Sequence, residues 1–235
     1  MAGRYKKDRK LFSHIMPKSA VAESFRTLRT NIAFSSPAGR NRTILITSPI
    51  PEDGKSTVVS NLGVVLAQAQ SRVLIVDCDL RKPVMHSCFN LDRDSGLTNV
   101  LARDLDPGEV VSPTEVAGLY VIPSGPIPPN PSELLGSAKM AGFLDRVAEQ
   151  YDVVLLDAPP VIAVTDAALL APLVDRVLLV LKAGSSRIEM ARDARDQLVK
   201  ANAKSIGVVL NGARLNRGGG YYYYYGGEDE KRAVN

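Results

Sequence analysis

Six short apolar runs rich in Val, Ile and Leu recur along the chain, at 43–47, 73–76, 119–122, 153–156, 177–181 and 206–210. None alternates apolar with polar residues, as a strand with one wet face does, so each is predicted to be a strand covered on both faces. Longer patterns of helical spacing fill the gaps at 55–70, 131–150, 165–173 and 187–201. Strands alternating with helices predict an α/β fold: a doubly wound, mainly parallel sheet with helices on both faces.

Helix 131–150 carries start signals: Asn130 as a cap, Pro131 at the first helical position and Glu133 to complete a capping box. An earlier helical segment, 18–34, places Val21, Phe25, Leu28 and Ile32 on one stripe that can dock on the sheet. Glu23, Arg26 and Arg29 form a separate polar stripe, which reads equally as a solvated face held by local ion pairs or as a subunit contact. After residue 210 the character changes to turn residues, a Gly218–Gly220 hinge, a tyrosine run and a charged end. The predicted divisions are a basic lead-in over 1–17, a phosphate-loop domain over 18–215 and a tyrosine-rich tail over 216–235.

Composition sharpens this outline. The 235 residues are 45% hydrophobic and 23% charged, enough for one medium domain with a sizeable core. The net charge of +4 is fully accounted for by Arg4, Lys6, Lys7, Arg9 and Lys10 against Asp8. The rest of the chain balances to zero, which argues against a nucleic-acid partner. The basic start is not followed by an apolar signal-peptide core, and no run of roughly 18 apolar residues exists, so a cytoplasmic protein is expected. Cys78 and Cys88 have no metal-binding spacing and are expected as buried thiols.

The first strand runs into Ser48-Pro49-Ile50-Pro51-Glu52-Asp53-Gly54-Lys55-Ser56-Thr57 and then a helix, the context that a phosphate-binding loop requires. Backbone N–H groups there would surround phosphates, with the helix dipole adding positive potential. Lys55 would bridge the outer phosphates, and Ser56 would offer its hydroxyl to Mg²⁺, with Thr57 beside it. Asp77, Asp79 and Asp157 end two apolar strands, and strand carboxyl ends line the ligand crevice of such a sheet. Asp77 and Asp79, one residue apart on an extended chain, point the same way, so that one can orient Mg²⁺ while the other accepts a proton.

The set Pro51-x-x-Gly54-Lys55-Ser56-Thr57, Val76-Asp77-Cys78-Asp79-Leu80-Arg81-x-Pro83, Pro128-Pro129-Asn130-Pro131-Ser132-Glu133-Leu134-Leu135 and Leu156-Asp157-x-Pro159-Pro160 resembles the bacterial protein-tyrosine kinases of capsule and exopolysaccharide synthesis. The resemblance spans nearly the whole chain, with Glu23-x-x-Arg26-x-x-Arg29 and the terminal tyrosines included. It departs at Glu52, where the family loop commonly has Gly, and a non-Gly residue resists positive φ.

The resemblance implies ATP and Mg²⁺ held by Asp53, Gly54, Lys55, Ser56 and Thr57. It implies Asp77 as base for a tyrosine hydroxyl, with Asp79 and Asp157 organising the metal. Asn211 would meet the adenine edge or simply end a turn, and Arg81 would neutralise charge, make a subunit contact or form a surface ion pair. The phosphoacceptors would be Tyr221, Tyr222, Tyr223, Tyr224 and Tyr225. An extended segment from Asn211 to Tyr221 spans on the order of 35 Å at ~3.5 Å per residue, enough to reach a neighbouring subunit. Family members form rings through the Glu23/Arg26/Arg29 motif and phosphorylate one another's tails, which added charge would push apart. A separate membrane-spanning modulator of the polysaccharide co-polymerase kind is implied, which would recruit the chain to the inner face of the membrane, as is a tyrosine phosphatase. Two rival readings are a partner-stimulated ATPase of the division or partition type and a nucleotide-gated scaffold in polysaccharide export.

Overall fold

The computed structural model describes residues 11–35 and 42–213; the basic segment 1–10 and the tyrosine run lie outside the described residues. In chain order the elements are helices α1 (Phe12–Ile15) and α2 (Ala20–Phe34), strand β1 (Thr43–Thr47), α3 (Lys55–Ala67), β2 (Val73–Asp77), α4 (Met85–Cys88), α5 (Leu97–Arg103), β3 (Ser112–Pro113) and β4 (Leu119–Ile122). Then follow α6 (Pro131–Leu135), α7 (Ala138–Gln150), β5 (Val153–Asp157), α8 (Asp166–Leu170), β6 (Arg176–Lys182), α9 (Ile188–Lys200) and β7 (Ile206–Asn211).

The seven strands form one sheet in the order β3-β4-β2-β5-β1-β6-β7. Every neighbouring pair is parallel except β3 with β4. All six predicted strands are present. The seventh, β3, escaped the apolar pattern because it is two residues long at an edge, where Pro113 has no ladder N–H to lose.

Alternate residues of the same strand enter different cores, which is why no polar alternation appears in the sequence. Leu45, Leu74 and Leu156 pack with Leu97 of α5, Phe143 and Val147 of α7 and Leu198 of α9. Ile44, Ile46, Ile75 and Leu155 pack on the opposite face with Phe25 and Ile32 of α2 and Val59 and Leu62 of α3. Hydrophobic burial on both faces, roughly 1.5–3 kcal/mol for each large side chain, fixes the strand register. The face of β7 beside α9 is less covered, leaving Val208 and Leu210 exposed.

Several helix expectations are corrected. Segment 131–150 is two helices, because the chain breaks at Gly136 and restarts where the Ser137 side chain accepts the Met140 N–H. The expected cap at Asn130 is not made: its Nδ2 donates instead to Glu133 Oε2 at 2.6 Å, and its oxygen accepts no capping N–H. Segment 165–173 tightens into a 3₁₀ turn at Ala171–Leu173, where Pro172 lacks the N–H that an α-helix would use. On α2 the predicted apolar stripe holds at Phe25 and Ile32, but Val21 is exposed. Unforeseen α1 docks on α3, with the buried Ser13 N–H donating to Asn61 Oδ1 at 2.8 Å. Cys78 and Cys88 are buried thiols outside any disulfide among the described residues, as expected. Among the described residues, no helix is long and apolar enough to cross a membrane.

Candidate active site

The crevice forms where the order of strands makes β1, β2 and β5 neighbours while the chain between β1 and β2 crosses over as α3. β1 ends in the loop 48–54, which enters α3 at Gly54. Gly54 has φ +95°, and a Cβ there would lie 2.0 Å from Asn211 Nδ2. Glu52 also takes a positive φ, +69°, so the loop keeps a left-handed turn at this position without glycine. Such a residue costs on the order of 1 kcal/mol or more and needs surrounding structure to hold it. Two side chains from distant elements hold the loop at Asp53: Asn211 Nδ2 donates to the Asp53 carbonyl at 2.9 Å, and Ser186 Oγ donates to Asp53 Oδ1 at 2.8 Å.

Lys55 and Ser56 open α3 and face the ends of β2 and β5. Lys55 Nζ donates to Asp79 Oδ2 at 3.0 Å and to Asp157 Oδ1 at 3.3 Å. Ser56 Oγ donates to Asp157 Oδ2 at 2.7 Å. Asp77 and Asp157 are direct register partners on adjacent strands. Asp77 is fully buried, and its oxygens accept the N–H groups of Asp79 at 3.2 Å, Val84 at 3.0 Å and Met85 at 2.9 Å. Asp79 stands beside Lys55, and its Oδ1 accepts the Lys82 N–H at 3.0 Å.

Electrostatics follow from this crowding. Burial, and then the charge of Asp157, raise the Asp77 carboxyl from 3.8 to about 7. Burial also raises Asp157, against the opposing pull of Lys55 and Ser56. Burial alone would lower Lys55, but the Asp157 and Asp79 charges outweigh it and hold the ammonium above its ordinary value.

The structure thus brings Asp53, Gly54, Lys55, Ser56, Asp77, Asp79, Asp157 and Asn211 into one site. Thr57 lies in the first turn of α3, where its carbonyl accepts from Asn61 Nδ2 at 2.9 Å. The donor set fits a magnesium nucleotide. First-turn N–H groups of α3 have no intrahelical acceptor, Lys55 supplies a cation, and Ser56, Asp79 and Asp157 supply hard oxygens of the kind Mg²⁺ takes.

The polar stripe of α2 lies elsewhere. Arg26 Nη1 pairs with Glu23 Oε2 at 2.7 Å, Arg26 Nη2 donates to the Pro17 carbonyl, and Arg29 Nη1 donates to the Val65 carbonyl at 2.9 Å. Sequence reasoning missed Ser186 and Asp166, and gave Ser132 no role beyond its place in the 128–135 motif. Asp166 receives Arg81 as an ion pair at 2.9 Å, and no local motif marks it as a partner.

Residues 43–189 match the family model described as "AAA domain". The tyrosine-protein kinase YwqD of Bacillus subtilis is 41% identical over 201 residues, covering 86% of this chain and 85% of the relative. The crystal structure of the chimerical protein CapA2B2 superposes with a TM-score of 0.82 at 40% identity, covering 86% of this chain and 89% of that one. The kinase domain of the Escherichia coli tyrosine kinase ETK superposes with a TM-score of 0.84 at 33% identity, covering 92% of this chain and 84% of that one. With the phosphate loop and its facing carboxylates in place, the chain belongs to the bacterial tyrosine-protein kinases.

Proposed function

We propose that this chain transfers a phosphoryl group from ATP to Tyr221, Tyr222, Tyr223, Tyr224 and Tyr225 of a neighbouring copy, and thereby regulates capsular or exopolysaccharide synthesis and export. The observation that carries the reading is the convergence of Lys55, Ser56, Asp79 and Asp157 at the start of α3. Magnesium ATP supplies the transferable phosphoryl group and the divalent cation that offsets its charge.

The protein's own part is positioning and charge. Loop N–H groups and Lys55 hold the phosphates, while Ser56, Asp157 and Asp79 hold the metal and its waters. As the phenol oxygen bonds to phosphorus and ADP leaves, the phenol proton passes to the Asp77/Asp79 pair. Asp77 is raised to about 7 by burial and the Asp157 charge, and a base near 7 suits neutral pH. Asp79 is the member beside Lys55. Asn211 keeps one amide N–H on the loop and offers its oxygen to the adenine edge.

We assign ring assembly to Glu23, Arg26 and Arg29. Activation and recruitment to the inner membrane face fall to a membrane-spanning modulator, with a tyrosine phosphatase to reverse the reaction. The test is incubation with labelled ATP and Mg²⁺, with mapping of phosphotyrosine in the native chain, in Lys55→Met and in a variant with all five tail tyrosines changed to Phe. Label on the native tail, lost in both variants, supports the reading. Phosphate release without labelled tyrosine would assign a partner-stimulated ATPase, and nucleotide binding with neither would assign a scaffold.

A further inference from the structure

Arg81 lies two residues beyond Asp79, on the loop that follows β2. Its Nε donates to Asp166 Oδ2 at 2.9 Å and its Nη2 donates to Asp166 Oδ1 at 3.1 Å, a two-pronged geometry that fixes the plane of the guanidinium. Ser132 closes a triangle: its Oγ donates to the same Asp166 Oδ1 at 2.8 Å and accepts from Arg81 Nη2 at 2.8 Å. The triangle joins the loop after β2 to the first turn of α6 and the start of α8, and it gives the Pro131-Ser132-Glu133 stretch a contact with the site.

The two charges are unequally placed. The Asp166 side chain is 0% exposed, whereas that of Arg81 is 39% exposed. A buried carboxylate is costly unless it is paired and hydrogen-bonded. A residue needed only to neutralise Arg81 would do so at less cost from the surface. Asp166 instead supplies an immobile acceptor on a packed element.

The loop it grips is the one that carries Asp79. From inside, Asp77 accepts the N–H groups of Asp79, Val84 and Met85. Asp79 Oδ1 accepts the Lys82 N–H, which leaves Oδ2 for Lys55. Arg81 sits between Asp79 and Lys82 in sequence, so the outer anchor and the inner one act on the same few residues. We propose that Asp166 and Ser132 are positioning residues for tyrosine phosphorylation: through Arg81 they hold the loop at 78–85, and with it the Asp79 carboxylate, against Lys55. This rests on the reading of Asp79 given under the proposed function.

The test compares Asp166→Asn, Ser132→Ala, Arg81→Lys and the Asp166→Asn/Arg81→Lys pair. Ser132→Ala removes two hydrogen bonds and no charge, so it stays informative if Asp166→Asn folds poorly. Expected are falls in kcat for tail phosphorylation of about ten- to hundredfold, as for a small misplacement of a reacting group, with KM for ATP changed by less than about threefold. The double variant should be no worse than its worse single. Hydrogen exchange of amides 78–85 should quicken in Ser132→Ala and Asp166→Asn while β1 stays protected. Native exchange in both variants overturns the anchor whatever the activity. Quickened exchange with native kcat, or kcat and KM drifting together with thermal stability, overturns the positioning role. A native chain that labels no tyrosine strikes the kinase reading alone, and exchange then decides the anchor.

Discussion

The side-chain amide of Asn211, at the end of the last described strand, donates to the backbone carbonyl of Asp53 in the first loop at 2.9 Å. A hydrogen bond of this kind contributes about 1 kcal/mol net. Asn211→Ala should therefore weaken nucleotide binding by roughly three- to tenfold while shifting the unfolding midpoint by only a few degrees. Titration with a fluorescent nucleotide reads the first quantity and calorimetry the second.

Gly54 is the tighter constraint. Its φ of +95° disfavours a side chain, and the added Cβ would strike Asn211 Nδ2. Gly54→Ala should cost about 1–3 kcal/mol of stability and abolish the thermal shift that Mg²⁺ and ATP give the native chain. A variant that keeps a native shift would show that the loop can open without cost.

The raised Asp77 carboxyl sets a pH dependence. In the unfolded chain it ionises near 3.8, and in the folded chain at about 7, so between these values the folded state holds the extra proton. Stability from this group is complete below about 4 and is lost as pH rises to about 7. Asp157 shifts in the same direction, while Lys55, held above its ordinary value, loses its contribution only at alkaline pH. Urea denaturation without divalent cations should give lower stability at pH 8 than at pH 5, by a few kcal/mol at about 1.4 kcal/mol per pKa unit. Asp77→Asn should flatten the slope; equal slopes would remove Asp77 as its source.

Asp79 and Asp157 contact the Lys55 ammonium and Asp77 stands beside Asp157, so the site without ligand carries more acid than base. Mg²⁺ with ATP should stabilise the fold by about 2.7 kcal/mol at a ligand concentration a hundred times its Kd. ATP with a chelator should give less than half of that thermal shift. An equal shift in both conditions would mean that the carboxylates do not take part in holding the metal.

Legibility in the sequence tracked the range of the contacts. Strands such as 43–47 and 153–156 were readable because burial on both faces leaves an unbroken apolar run. Lys55 and Ser56 were readable because loop, lysine and hydroxyl are contiguous, and Asp77, Asp79 and Asp157 because they end such runs. The break at Gly136 and Ser137 was hidden, since helical spacing of apolar residues continues across it. Ser186 and Asp166 were also hidden: each meets its partner across a long stretch of chain, and neither stands in a pattern that a window of residues can reveal. The exposure of Val21 depends on where α1 and α3 leave α2 uncovered, which no helical wheel contains.

Glu52 carries a lesson about recognition. A pattern that demands glycine at this place would pass over the chain, although the backbone there turns as a glycine would, with φ +69° and the side chain in solvent. The requirement for a missing side chain is physical only two residues later, at Gly54, where Asn211 occupies the space. A search for such enzymes gains reach by weighting each glycine by the room its neighbours leave, not by how often the letter recurs.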